Sequence, residues 1–259
     1  MIDIHSHILY GIDDGAKNID DSVSLINSAI KNNVKKIILT PHYIVESNSI
    51  TPNKTKKEIL NKIKKQVSSE VELYLGNEIY MDDDIASLID ANKIMPLANS
   101  KYLLIELPIY NEYPNLENKL FSLRNLGYKI IIAHPERYYY FKNDFSKLLK
   151  LCKQGIYFQG NYMSLYDIYG KSTKKLFLKI LKHHCYSFMA SDIHMPSQKY
   201  YDKISDAKAK IAKITNKSYC DDIFYNNADK IIKNEEVENS YKEKISIFDR
   251  IRGNKWKRS

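Results

Sequence analysis

The sequence predicts an α/β protein built on a parallel sheet, either open and doubly wound or closed into a barrel. Seven short β-prone runs recur at a fairly regular interval, at residues 2–5, 36–40, 71–76, 102–107, 128–133, 155–159 and 186–190. Several are continuously apolar, such as Ile37-Ile38-Leu39 and Ile130-Ile131-Ile132, which is the pattern of parallel strands covered on both faces. Amphipathic stretches separate them, and a β-then-α alternation of this length favours a parallel sheet.

The helices follow from their spacing. Val23, Ile26 and Ile30 form one apolar face, with Asp20 or Asp21 as the expected cap; Ile59, Leu60, Ile63 and Val67 form a second, with lysines opposite. Residues 116–126, 145–152 and 176–183 repeat the pattern, and residues 198–234 read as a helical C-terminal region. With no Gly/Ser linker or low-complexity break, positions 1–240 are expected to form a single domain, followed by a basic tail at 241–259.

Composition narrows the function classes. The 259 residues are 44% hydrophobic and 27% charged, an ordinary globular balance. No apolar run approaches the roughly 18 residues of a membrane span, and the N-terminus lacks a secretory pattern, so a cytoplasmic location is expected. Three cysteines, Cys152, Cys185 and Cys220, suit neither a disulfide framework nor a cysteine zinc site. The net charge of +9 is unevenly spread: residues 54–66 and 242–259 each carry +5, which leaves the remainder near −1. Two separate basic segments without interleaved recognition elements argue against nucleic acid; 54–65 reads as a solvated helix face, and the tail, with Trp256, can touch an anionic membrane surface.

The chemistry is expected at the strand ends. His5, His7, His42, His134 and His194, with Asp14, Glu78, Glu106 and Asp192, all fall at or just past a predicted strand's C-terminal end, the edge where α/β proteins build sites. Alone, each has a structural explanation, such as a turn for Asp13-Asp14-Gly15. Nine imidazoles and carboxylates together would be costly to desolvate without cations. His5-x-His7 and Asp192-x-His194 have strand spacing, which puts both side chains on one face. Imidazole with carboxylate and no thiolate suits Mn, Fe, Zn or Co, and nine donors exceed the needs of one ion.

Six motifs in order carry a resemblance: Ile4-His5-Ser6-His7, Gly11-Ile12-Asp13-Asp14-Gly15-Ala16, Thr40-Pro41-His42, Gly76-Asn77-Glu78, Ala133-His134-Pro135-Glu136-Arg137-Tyr138 and Ser191-Asp192-Ile193-His194. They resemble the polymerase and histidinol phosphatase (PHP) superfamily, and within it the bacterial protein-tyrosine phosphatases of capsule and exopolysaccharide loci. The resemblance spans positions 1 to about 235. It implies a distorted seven-stranded (β/α)7 barrel of the PHP type with two or three divalent ions, most often Mn, with Fe, Zn, Co or Mg as alternatives.

Carried over position by position, it implies a first ion held by His5, His7, Glu78 and Asp192. A second would share Glu78 and be held by His42 and His134, and a third by Asp14, Glu106 and His194. It further implies attack on phosphorus by a metal-bound hydroxide with no phosphoenzyme, and a phosphotyrosine protein substrate, a membrane-associated polysaccharide-export tyrosine kinase. Cysteine chemistry is independently excluded, because the positions six after each cysteine are Phe158, Ser191 and Asn226 and never the arginine of Cys-x5-Arg. No phosphate-binding P-loop is present, since Leu165 stands where Gly170-Lys171-Ser172 would need a preceding glycine.

Arg137 is the expected anion clamp, with a salt bridge to Glu136 or Asp144 as its alternative. The family's usual second arginine after Asp-x-His is missing from Met195-Pro196-Ser197-Gln198-Lys199, which leaves Lys199 as a substrate-binding point charge. The first-helix arginine of oligomer contacts is missing from Asp21-Ser22-Val23-Ser24, so the subunit count stays open. His183-His184 is expected to meet helix-terminal carbonyls, and Tyr138-Tyr139-Tyr140 either to stack on a substrate ring or to pack against the rim. Another PHP activity, on histidinol phosphate or as a nuclease, and a non-catalytic phosphotyrosine-binding regulator are the competing readings.

Overall fold

The computed structural model describes residues 1–45, 50–82, 84–239 and 241; the basic segment from 242 onward, with Trp256, lies outside them. Nine short strands appear: β1 (Ile2–Asp3), β2 (Lys36–Leu39), β3 (His42–Tyr43), β4 (Glu72–Leu75), β5 (Glu78–Tyr80), β6 (Tyr102–Glu106), β7 (Lys129–Ala133), β8 (Tyr157–Asn161) and β9 (Phe188–Ala190). All pairings are parallel, in one sheet of order β1-β2-β4 and another of order β3-β5-β6-β7-β8-β9. The parallel α/β expectation holds at this level.

Seven runs become nine strands because the chain re-pairs just past the ends of two of them, 36–40 and 71–76. Pro41 has no N–H to continue the ladder from β2, and the chain re-pairs as β3 against β5. Gly76 and Asn77 separate β4 from β5, although Gly76 N still donates to Leu39 O at 3.0 Å. A Cβ at Gly76 would lie 2.7 Å from Leu97 Cδ2 and 3.1 Å from Leu97 Cα, so only glycine allows that approach. At the far edge, Ser6 bridges Ile193, with Asp192 N donating to His5 O at 3.0 Å and His7 N to Ile193 O at 2.9 Å.

The helices are α1 (Ile19–Lys31), α2 (Asn53–Lys64), α3 (Ile85–Asp90), α4 (Leu116–Asn125), α5 (Tyr139–Asn143), α6 (Phe145–Lys153), α7 (Lys171–Lys182), α8 (Ile204–Ile214), α9 (Lys217–Asp221) and α10 (Asn227–Ile232). The cap of α1 is Asn18 rather than Asp20 or Asp21; its Oδ1 accepts from Asp21 N at 3.0 Å, and the two acids occupy the first turn, where they favour the helix dipole. The C-terminal region is helical as expected, but α9 and α10 are joined by a π turn over Asp222–Asn226.

Side-chain alternation divides the core in two. Ile130 and Ile132 pack outward with the helices, while Ile131 and Ala133 point inward with Ile2, Ile4, Ile38, Leu104, Phe188 and Ala190. Ala228, Ile231 and Val237 close the inner cluster at the strands' N-terminal end, held by Tyr102 Oη donating to Glu235 O at 2.8 Å and Tyr157 Oη to Val237 O at 2.6 Å. Apolar packing thus fills one end and leaves the C-terminal end for polar groups. The three cysteines are buried and free. None of the described helices is long and apolar enough to cross a membrane.

Candidate metal centre

All nine residues expected at the strand ends fall into overlapping groups whose ligand atoms lie within 4.8 Å of one another. Four residues from these groups approach one another closely through the paired imidazoles of His5 and His7. His5 Nε2 lies 3.2 Å from His7 Nε2, 3.1 Å from Glu78 Oε2 and 3.3 Å from Asp192 Oδ1. His7 Nε2 lies 3.3 and 3.4 Å from the same two oxygens. Ligands about 2.1 Å from one ion in a tetrahedral shell are spaced about 3.4 Å apart.

Glu78 is shared. Its Oε1 meets His134 Nε2 at 2.9 Å and its Oε2 meets His42 Nδ1 at 3.1 Å, while Glu106 lies 3.7 Å from His134 Nε2 and 3.8 Å from His42 Nδ1. Asp14 Oδ1 lies 3.7 Å from His42 Nε2 and 3.5 Å from His194 Nε2. Glu78 thus meets both His42 and His134, Glu106 lies beside the same two imidazoles, and His42 turns its other ring nitrogen toward Asp14.

The donor chemistry fits divalent ions. His42 Nδ1 and His134 Nδ1 are buried without a hydrogen-bond partner, although His42 Nδ1 is close to Glu78. Glu78 is held well below the usual carboxylate range, burial opposing and His5, His42 and His134 prevailing; Asp192 is lowered likewise, against burial, by His5, His7 and His134. Burial would lower His5, but Glu78 and Asp192 hold it up at about 9. Burial and the charge of Glu78 push Glu106 up to about 8, and burial with Arg137 pushes His134 down to about 4. Such opposed shifts within one cluster mark a functional site.

Supporting residues escape notice in the sequence. Asp13 accepts from His7 Nδ1 at 2.8 Å, Gly15 N at 3.0 Å and His42 N at 3.0 Å, and His7 holds it down at about 2 against burial. Gln159 Oε1 meets His5 Nδ1 at 2.8 Å, Asn161 Nδ2 donates to Asp192 Oδ2 at 2.7 Å, and His194 Nδ1 donates to Asp192 O at 2.9 Å. Contacts of this kind to the outer atoms of an imidazole or carboxylate are what orient such a side chain when it holds a metal. A pair of adjacent acids read as a turn hides which of them does this, although an imidazole ligand usually finds a partner for its second nitrogen. His134 and Asp192 also sit at positive φ, +31° and +52°, a backbone conformation that costs energy for a non-glycine residue.

The cluster floors a cavity of about 470 Å³, lined also by Arg137, Tyr169, Tyr80, Ile44, Met195, Gln198 and Tyr200. Arg137 pairs with neither Glu136 nor Asp144: its Nη1 lies 3.5 Å from Asp192 Oδ2 and its guanidinium 5.3 Å from the Tyr169 ring centre. Glu136 is buried and accepts from Asn161 N, Ser164 Oγ and Tyr186 Oη, and Asp144 caps α6. Lys199 is exposed and does not line the cavity, though its neighbours Gln198 and Tyr200 do. Among the described residues, Arg137 is therefore the one Arg or Lys in the wall.

Tyr138 and Tyr140 pack inside. Tyr138 Oη accepts from Leu107 N and donates to Ala133 O, both at 2.9 Å, tying the end of β6 to the end of β7. Tyr139 is exposed and stacks on Tyr110. His183 Nδ1 meets Lys179 O at 2.8 Å at the end of α7, as expected.

A parallel α/β fold whose strand ends converge on an imidazole–carboxylate cluster beside one arginine defines a metal-centred hydrolase class. The chain belongs to the capsular polysaccharide synthesis family CpsB/CapC, whose model matches residues 1–233. It is 39% identical over 202 residues to the putative tyrosine-protein phosphatase CapC of Staphylococcus aureus, covering 75% of this chain and 77% of that one. It is 32% identical over 200 residues to the tyrosine-protein phosphatase YwqE of Bacillus subtilis, with the same coverage.

In structure it resembles the solved metal-dependent tyrosine phosphatases YwqE from Bacillus subtilis and CpsB from Streptococcus pneumoniae, with TM-score 0.85 and 26% identity over 94% of this chain and all of the other. The fold alone is shared with a dihydropyrimidinase from Brevibacillus agri, at TM-score 0.53 and 10% identity over 94% of this chain and 72% of that one.

Proposed function

We propose that this chain is a metal-dependent protein-tyrosine phosphatase that holds two or three divalent ions, Mn foremost, at the nine strand-end donors. The observation that carries the reading is the convergence of His5 Nε2 and His7 Nε2, 3.2 Å from each other, on Glu78 Oε2 and Asp192 Oδ1 at 3.1 to 3.4 Å, beneath a cavity whose wall carries Arg137. His5, His7, Glu78 and Asp192 would hold one ion, Glu78, Glu106 and His134 a second, and Asp14, His42 and His194 a third. Bound ions would supply Lewis-acid charge to phosphoryl oxygens and acidify water for hydrolysis.

The protein's own groups do the rest. Arg137 binds phosphate oxygens as a planar fork, held in place by Asp192 and by the Tyr169 ring. Asp13 and Gln159 keep the outer nitrogens of His7 and His5 engaged, so that their Nε2 atoms face the cluster. Three divalent ions and Arg137 against the carboxylates of Asp13, Asp14, Glu78, Glu106 and Asp192 leave a charge of about +2, suited to a phosphate dianion. A phenolate leaving group, with a pKa of about 10, needs little acid assistance, which agrees with a wall whose one Arg or Lys is Arg137. Lys199, outside the cavity, adds only a screened charge.

The substrate in this reading is phosphotyrosine on a membrane-associated polysaccharide-export kinase, and the working compartment is the cytoplasm. The strand pairings also support a finer architecture. With β2 continuing into β3, β4 into β5, and Ser6 bridging Ile193, the nine strands occupy seven positions of a distorted barrel formed within a single domain over 1–240. The test compares phosphate release from a phosphotyrosine peptide, histidinol phosphate and single-stranded DNA. Preference for the peptide is expected, and a kcat/KM larger for either of the others would overturn the assignment.

A further inference from the structure

Lys56 lies on the inward side of α2 and is only 1% exposed, yet among the described residues no carboxylate pairs with it. Its Nζ donates to Asn53 Oδ1 at 3.2 Å and to Asn77 Oδ1 at 3.1 Å, and lies 5.7 Å from the centre of the Tyr43 ring. Lysine is almost never fully buried without a counter-ion, because desolvating the ammonium is unfavourable. An unpaired cation at such a position needs a compensating role.

Asn77 supplies one. Its Nδ2 donates to Pro41 O at 2.9 Å, while its Oδ1 accepts from Met95 N at 3.0 Å as well as from Lys56. Pro41 immediately precedes His42, and Asn77 immediately precedes Glu78. One side-chain amide therefore spans the two breaks at which β2 passes to β3 and β4 to β5. A flipped amide would set its NH2 against two donors, Met95 N–H and the Lys56 ammonium, so these two admit a single orientation. The charge on Lys56 strengthens its share of that contact.

We infer that Lys56 is a positioning residue, which through Asn77 locks the paired strand breaks that aim His42 and Glu78 into the donor cluster. The inference rests on the reading of His42 and Glu78 as ligands, and the experiment separates the two. Full-length wild type, Lys56→Met, Asn77→Ala and the exposed control Lys57→Met are purified with their metal, and the chelator concentration that strips half of it is measured, with circular dichroism as the check of folding. Outer-shell partners typically change metal affinity about 10-fold to 100-fold.

Lys56→Met and Asn77→Ala are expected to lose metal at about 10-fold lower chelator, with kcat reduced and KM for a phosphotyrosine peptide within about 2-fold of wild type. Lys57→Met is expected to match wild type. If a folded Lys56→Met retains metal as wild type does, the inference is overturned. If Lys56→Met does not fold, Asn77→Ala decides: earlier metal loss supports the inference, and unchanged retention overturns it. A wild-type chain that binds no divalent metal overturns the ligand reading itself, and this inference with it.

Discussion

At the residue scale, the nine donors were legible because histidines and acids clustered at strand ends, and because His-x-His and Asp-x-His spacing puts both side chains on one face. What stayed hidden was the second layer. Asp13 is indistinguishable in sequence from its neighbour Asp14, yet one is buried against His7 and the other, 70% exposed, faces His42 and His194. Asp13→Asn removes the acceptor charge on His7, and metal affinity is expected to fall about 10-fold to 100-fold in a chelator competition. Arg137→Lys keeps the charge but loses the fork and the contact with Tyr169; KM for a phosphotyrosine peptide is expected to rise about 10-fold with metal content unchanged, measured by steady-state kinetics with metal analysis. The lysine run around Lys56 has the composition of a solvated face, although its spacing from Leu60 and Ile63 puts Lys56 on their side of the helix. Burial pushes its pKa down to about 8 from 10.5. Between those values the unfolded chain binds the extra proton, so stability rises with pH in that window. Urea unfolding at pH 7 and pH 10 is expected to show wild type gaining about 2 kcal/mol on Lys56→Met over that range.

At the element scale, the alternation of apolar strands and amphipathic helices was sufficient to predict the class of fold. It did not predict that two strands break, because each break depends on a tertiary approach. Gly76 is required by Leu97, which is 21 residues away and unrelated by any local pattern. Gly76→Ala is expected to destabilise the chain by about 1–3 kcal/mol in thermal or urea unfolding, since backbone as well as side chain must give way. The cap of α1 shows the same limit on a smaller scale: three polar residues, Asn18, Asp20 and Asp21, can each cap, and the turn geometry after Lys17 selects Asn18.

At the scale of the whole molecule, the division between an apolar end and a polar end explains how so many ionisable groups coexist in one fold. Tyr102, Tyr157, α10 and Val237 seal the strands' N-terminal end, and the donors occupy the other. The basic segment from 242 onward is remote in sequence from every donor, all of which lie between His5 and His194. Truncation after residue 241 is therefore expected to leave turnover of a soluble phosphotyrosine peptide within about 2-fold, since it removes none of the nine strand-end residues and leaves Arg137 in place. The net charge of +9 comes mainly from residues 54–66 and 242–259, and the chemistry proposed depends instead on positive charge that the acid- and histidine-rich cluster would hold as metal. The most direct test of that claim is phosphate release from a phosphotyrosine peptide by the as-purified chain, measured before chelation, after removal of metal, and after return of Mn2+, with metal content determined at each stage. Activity that falls with the metal and returns with it is the expected result; undiminished turnover by a folded chain stripped of divalent metal would contradict the account.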